Sequence, residues 1–151
     1  MPIRTWKAEP EEAETVARLL VEFRNWWGRD WPSDNAFLAG VERLMTDAGT
    51  EFLLGAVDDD SPPSAVCQIR FRFGIWMASE DCWFEDLYVE SEARGTGLGR
   101  ALVEFACERA ELRGSKRIEL DVSEGNPEAM ALYRSAGFTT KSAPDRDIFM
   151  Y

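Results

Sequence analysis

Residues 94–100 read RGTGLGR: three glycines on alternate positions, bounded by two arginines, directly behind the strand-like run CWFEDLYV at 82–89. An amphipathic segment over 97–113, with apolar Leu98, Leu102, Phe105 and Leu112, predicts a helix entered straight from the loop. A helix start leaves about four N–H groups without intrahelical acceptors, and glycine lets a ligand come close to that backbone. The stretch therefore reads as an anion cradle suited to a pyrophosphate, or as an ordinary strand-to-helix turn. It is not a Walker A loop, since no GxxxxGK[ST] occurs, and a GxGxxG frame fails because Arg100 or Leu102 stands at the last place.

Working outward, PIRTWKA (2–8) alternates as a first strand. Pro10 opens a helix whose Val16, Leu19, Leu20, Phe23 and Trp27 form a buried stripe, broken at Gly28. Ser33 or Asp34 caps a second helix reaching to about Ala48. EFLLGAV (51–57) and AVCQIRFRFGIW (65–76) are strands around the turn DDDSPPS. After the glycine-led helix come a strand at RIELDV (117–122), a helix at NPEAMALYRSA (126–136) and a closing strand at DIFMY (147–151). The order β-α-α-β-β-β-α-β-α-β-β describes a single α/β domain over 1–151, a central mixed sheet with helices on both faces.

The 151 residues carry a net charge of −11, which repels nucleic acid and anionic membranes and draws in small cations. Six Arg or Lys against three Glu over 93–118 adjoin six acids and no base over 80–92, an arrangement that suits an anionic cofactor beside a cationic substrate. No apolar run reaches the roughly 18 residues of a membrane span, and the first residues lack a secretory pattern, so a cytoplasmic protein is expected. Cys67, Cys82 and Cys107 have no metal-binding spacing and read as reduced, mostly buried thiols. There is no histidine, which removes His-based triads and most zinc sites; no metal is expected.

Two segments together, EDLYVESEARGTGLGRALVEFACERA (85–110) and LDVSEGNPEAMALYRSAGF (120–138), resemble the central motifs of the GNAT family of N-acetyltransferases. Arg94-x-x-Gly97-x-Gly99 fills the family's R/Q-x-x-G-x-G/A signature, and Asn126, Tyr133 and Gly137-Phe138 match its second motif. The lead-in at Glu85-Asp86 is most similar to the diamine and polyamine branch. The resemblance implies acetyl-CoA as cofactor and direct transfer of acetyl to a primary amine: a polyamine, diamine or aminoglycoside. A peptide or protein N-terminus is the alternative acceptor, and a non-catalytic acetyl-CoA sensor is the alternative from another class. A homodimer is a further expectation by analogy.

The resemblance places the pyrophosphate on Arg94, Gly95, Thr96, Gly97, Leu98, Gly99 and Arg100, and the pantetheine along Leu87, Tyr88 and Val89. The N–H of Val89 or Tyr88 is the expected polariser of the thioester carbonyl. Asn126 and Tyr133, seven residues apart on one helix face, are expected on the pantetheine and the sulfur, with Tyr133 as the acid. Glu85 and Asp86 point to opposite faces of a strand. Glu85 is read as the group that attracts the amine and takes its proton, or as a bulge residue paired to Arg70 or Arg72; Asp86 is second choice and Glu124 third. Trp26, Trp31 and Trp76 are acceptor-pocket candidates, whereas Trp27 continues the core stripe.

Overall fold

Within the strand expected at EFLLGAV, residues 51–56 are all buried, the mark of a strand covered on both faces. The computed structural model describes residues 2–123, 125–139, 141–143 and 146–147. In it β1 (Arg4–Lys7), β2 (Thr50–Ala56), β3 (Ala65–Gly74), β4 (Ser79–Val89) and β5 (Ile118–Leu120) form one sheet in that order. The first four are antiparallel and β5 runs parallel to β4. Between them lie α1 (Ala13–Trp26), α2 (Asp34–Met45), α3 (Leu98–Leu112) and α4 (Pro127–Ser135). The expected element order holds through β6 (Lys141–Ala143) and β7 (Arg146–Asp147), which pair with each other. Of DIFMY only Asp147 falls in β7; 148–151 lie outside the described residues.

Strand alternation splits the interior into two cores. Leu53, Cys67, Ile69 and Phe84 face α3 and α4, where they meet Leu98, Leu102 and Tyr133. Phe52, Leu54, Val66 and Tyr88 face α1 and α2, where they meet Val16, Leu19 and Val41. Gly55 is needed for the first of these contacts. A Cβ there would lie 2.8 Å from Leu98 Cδ1, so glycine lets the start of α3 settle directly on the sheet.

One boundary and one side chain differ from expectation, and one choice is resolved. Helix α2 stops at Met45 because the Thr46 hydroxyl donates to the Arg43 carbonyl (2.7 Å) and Asp47 Oδ1 takes the Gly49 N–H (2.8 Å). Ser33, not Asp34, is its N-cap, accepting from the Ala36 N–H. Leu112 is exposed, because the buried stripe of α3 runs through Leu98, Leu102, Ala106 and Ala110 and leaves it on another side.

The charge asymmetry has a structural explanation. Arg113 pairs with Glu80 at 2.9 Å and Arg117 with Asp81 at 2.9 Å, so the end of the basic segment is neutralised by the start of the acidic one. Arg109 forms a two-pronged pair with Glu51 (2.7 and 2.9 Å), which is only 2% exposed. Burial alone would raise the Glu51 carboxyl; the Arg109 hydrogen bond and charge, helped by Lys7 and Arg113, outweigh it and lower its pKa.

Candidate active site

The site begins where β4 and β5 part. They pair only from Cys82–Phe84 to Ile118–Leu120. At the same level β4 bulges: Phe84 stands opposite Ile69 and Asp86 opposite Gln68, which leaves Glu85 as the extra residue. Beyond the bulge, Leu87, Tyr88 and Val89 line a cleft of about 450 Å³ whose far wall carries Val122, Asn126 and Tyr133. The Glu90 N–H donates to Ser64 on the β3 side (2.9 Å), so strand alternation turns the N–H and C=O of Val89 away from β3. Consistently, the Val89 carbonyl accepts from Arg94 Nε at 2.9 Å.

The glycine loop adjoins this cleft: it follows Arg94, which lines it, and Gly99 lies against Val89 and Leu132 of its wall. Gly95 and Gly97 have φ of +78° and +91°, backbone that a side chain rarely adopts, and Gly97 is the N-cap of α3. Thr96 staples the turn: its hydroxyl donates to the Ala93 carbonyl (2.6 Å) and accepts from the Leu98 N–H (3.3 Å). Among the described residues, the N–H groups of Gly95, Thr96, Gly97, Gly99 and Arg100 have no protein acceptor. The flanking arginines are otherwise engaged. The Arg94 guanidinium lies 5.8 Å from the ring centres of both Trp26 and Tyr88, and Arg100 pairs with Glu104. The free donors of this loop therefore belong to the main chain and not to these side chains.

A second cavity of about 420 Å³ opens between α1, α2 and the sheet. Phe23, Trp27 and Asp86 line both spaces and so mark their junction. Burial, reinforced by the Glu85 charge, pushes the Asp86 carboxyl up to about 6. Tyr133 is buried against Phe84 and Phe138 at 5.6 and 5.9 Å between ring centres. Its hydroxyl has no hydrogen-bond partner among the described residues, and burial, with Cys67 and Asp86 nearby, raises its pKa. Burial also pushes Cys82 up to about 12 and raises Cys67 and Cys107, so the thiols stay neutral near pH 7.

The structure brings most of the expected residues to these two spaces and redistributes several. Glu85 is exposed at the bulge, lining the cleft and a neighbouring groove with Arg70 and Arg72, whereas Asp86 is the half-buried acid at the junction. Trp26 lines the cofactor-side cleft, and Trp31 the other cavity. Trp76 needs correcting: it sits at the tip of the β3–β4 hairpin, 95% exposed, away from both. Trp27 needs the opposite correction. It follows the last turn of α1, is 46% exposed and lines both spaces instead of the core. Glu124 lies outside the described residues. Gln68, buried opposite Asp86, is the residue that sequence reasoning misses; its one signal is a polar side chain inside AVCQIRF.

With this geometry in place, comparison with known proteins is decisive for the family. The model of the acetyltransferase (GNAT) family matches residues 17–138, and the chain belongs to that family. A mycothiol acetyltransferase of Beutenbergia cavernae is 36% identical over 90 residues, 58% of this chain and 28% of that protein. A thialysine N-epsilon-acetyltransferase of Bos taurus is 33% identical over 67 residues, 44% of this chain and 39% of that one. A streptothricin acetyltransferase of Streptomyces lavendulae is 31% identical over 99 residues, 66% of this chain and 49% of that one. The chain thus spans less than half the length of these curated relatives. A crystal structure of an acetyltransferase candidate from Arthrobacter sp. FB24 superimposes with a TM-score of 0.86 at 26% identity, covering 98% of this chain and 92% of that one. No helix among the described residues is long and apolar enough to cross a membrane, and no three of their Cys, Asp and Glu side chains cluster to hold a metal.

Proposed function

We propose that this chain transfers an acetyl group from acetyl-CoA to a primary amine of a small molecule. One observation carries the reading: five main-chain N–H groups, without acceptors among the described residues, follow directly on Arg94 of a cleft that meets a second cavity at a half-buried carboxylate. The cradle fits a pyrophosphate, because two left-handed glycines, of which Gly95 faces open space, and a helix N-terminus present donors to an anion. Acetyl-CoA, when bound, supplies an activated acetyl thioester. Leu87 and Val89 present strand edge to its pantetheine arm, and the outward Val89 N–H is the donor for the thioester carbonyl. Asn126 Oδ1 caps α4 by accepting from Ala129 (3.2 Å), which leaves its amide N–H groups for the same arm.

The amine arrives as an ammonium with a pKa near 10 and must lose a proton before its lone pair can attack. Asp86 is the base: its raised pKa makes it a better proton acceptor than an ordinary carboxylate while leaving it ionised at pH 7. Attack forms the C–N bond and breaks the C–S bond. Tyr133 holds its proton at neutral pH and gives it to the departing sulfur; the nitrogen's second proton goes to solvent, from which Tyr133 is restored. The neutral, buried thiols favour this direct route over an acetyl-cysteine. Glu85, exposed at the bulge, keeps the steering role alone.

The names of the thialysine and streptothricin relatives support a small acceptor over a protein N-terminus. Polyamines, diamines and aminoglycosides remain the starting panel. The test is thiol release from acetyl-CoA in the presence of individual amines. Turnover with a small amine is expected; tight acetyl-CoA binding with no turnover on any amine would instead make the chain a sensor.

A further inference from the structure

The acceptor cavity carries its own chemical specification, and it differs from that of a polyamine site. Resting on the acetyl-transfer reading above, we propose that the acceptor is a monoamine on an apolar, ring-sized body, with an anionic or neutral far end turned toward Arg29. Phe23, Trp27, Trp31, Phe37 and Phe52 supply five aromatic rings to the wall. Asp86 is the one carboxylate among the lining residues, and it stands at the junction with the cofactor cleft, where the reacting nitrogen must be. A long polycation needs further carboxylates along its length, and the described lining residues offer no second one.

The other charges in the wall are positive. Arg24 is committed to the protein: it donates to the Pro32 carbonyl at 2.7 Å and pairs with Asp34 at 2.8 Å. Arg29 differs, since its guanidinium makes no hydrogen bond or ion pair among the described residues. Asp30, its neighbour in the chain, does not line the cavity. A free cation in the wall repels a second ammonium and attracts a carboxylate, while the rings take up an apolar body. A volume of about 420 Å³ accommodates a substituted aryl or indolyl group. Trp27, like Asp86, lines both spaces, which puts an indole where an ammonium at their junction can use it.

The experiment compares three amines with the intact chain and acetyl-CoA: phenethylamine, 4-(2-aminoethyl)benzoate and spermidine. Both ring-bearing amines are expected to exceed spermidine in kcat/KM by at least about tenfold, the benzoate being favoured through KM. In Arg29→Glu the benzoate KM should rise about tenfold or more and the spermidine KM should fall, with phenethylamine within about threefold of the unaltered chain. Arg29→Gln should give the benzoate loss without the spermidine gain. Spermidine as the best of the three, or benzoate and phenethylamine responding alike to Arg29→Glu, overturns the specification while leaving acetyl transfer standing. No turnover on any of them or on the wider panel, with acetyl-CoA bound, overturns the acetyl-transfer reading and this one with it.

Discussion

Asp86 and Gln68 stand opposite each other across the β3–β4 ladder, and both line the apolar acceptor cavity. An ionised carboxylate in that position is costly, and its pKa of about 6 records the cost. The raised value means that the carboxyl contributes stability below its unfolded pKa near 3.8 and loses it as pH rises through about 6. A rise of that size corresponds to about 3 kcal/mol. We predict that Asp86→Asn melts higher than the parent at pH 7.5, with the gain gone at pH 3.5. The same variant should lose about 10²–10³ in kcat/KM. In the parent, kcat/KM should climb with pH through about 6, as the base ionises. Thermal melts and pH–rate profiles check both; a stability loss at pH 7.5 with activity retained would remove Asp86 from this role.

Tyr133→Phe removes a hydroxyl that has no partner among the described residues but leaves the ring contacts with Phe84 and Phe138. Its stability should change by less than about 1 kcal/mol. Its kcat should fall about 10²-fold with KM nearly constant, because the proton is needed only as sulfur departs. An unchanged kcat in a normally melting variant would show that the departing thiolate takes its proton elsewhere.

The two ends of α3 provide a matched pair of substitutions. Gly97 and Gly114 both have positive φ, +91° and +81°, so alanine at either should cost about 1–2 kcal/mol of strain. Only Gly97 stands in the cradle. Gly97→Ala is expected to weaken coenzyme A binding about tenfold, and Gly114→Ala to leave it unchanged, as measured by calorimetry below the melting range. Equal effects would mean that strain, not cradle geometry, governs affinity.

Glu51 tests the separation of scaffold from site. Replacing it by Gln leaves Arg109 and Arg113 without their shared carboxylate and should cost about 3 kcal/mol. Its folded pKa lies below the usual 4.5, so this stabilisation is complete above that pH and drains away as pH falls through the lower folded value. The deficit of Glu51→Gln should therefore shrink in acid, while coenzyme A affinity of the folded protein stays that of the parent.

The element order was legible because each helix carries a clear stripe and each strand a breaker at its ends, as with Leu19–Leu20 before Gly28 or NPEAM before Gly137-Phe138. The glycine loop was legible for the same reason: few sequences place three alternate glycines at a helix start. What stayed hidden depends on contacts between distant segments. Helical periodicity assigns Trp27 to the core, but the helix ends one residue earlier and the ring turns into the junction of two cavities. Two adjacent acids cannot be ranked without the bulge that exposes Glu85 and the ladder that sets Asp86 against Gln68. The basic segment at 94–117 read as a field for a cofactor, yet Arg109, Arg113 and Arg117 satisfy carboxylates that lie elsewhere in the chain, and Arg100 pairs with Glu104 inside the segment.

The most direct measurement is amide shift mapping of the isotopically labelled protein during titration with coenzyme A. The account predicts saturable shifts that are largest at the N–H groups of Gly95–Arg100 and Leu87–Val89. Binding that leaves those resonances in place and moves others, or no binding at millimolar ligand, would contradict it.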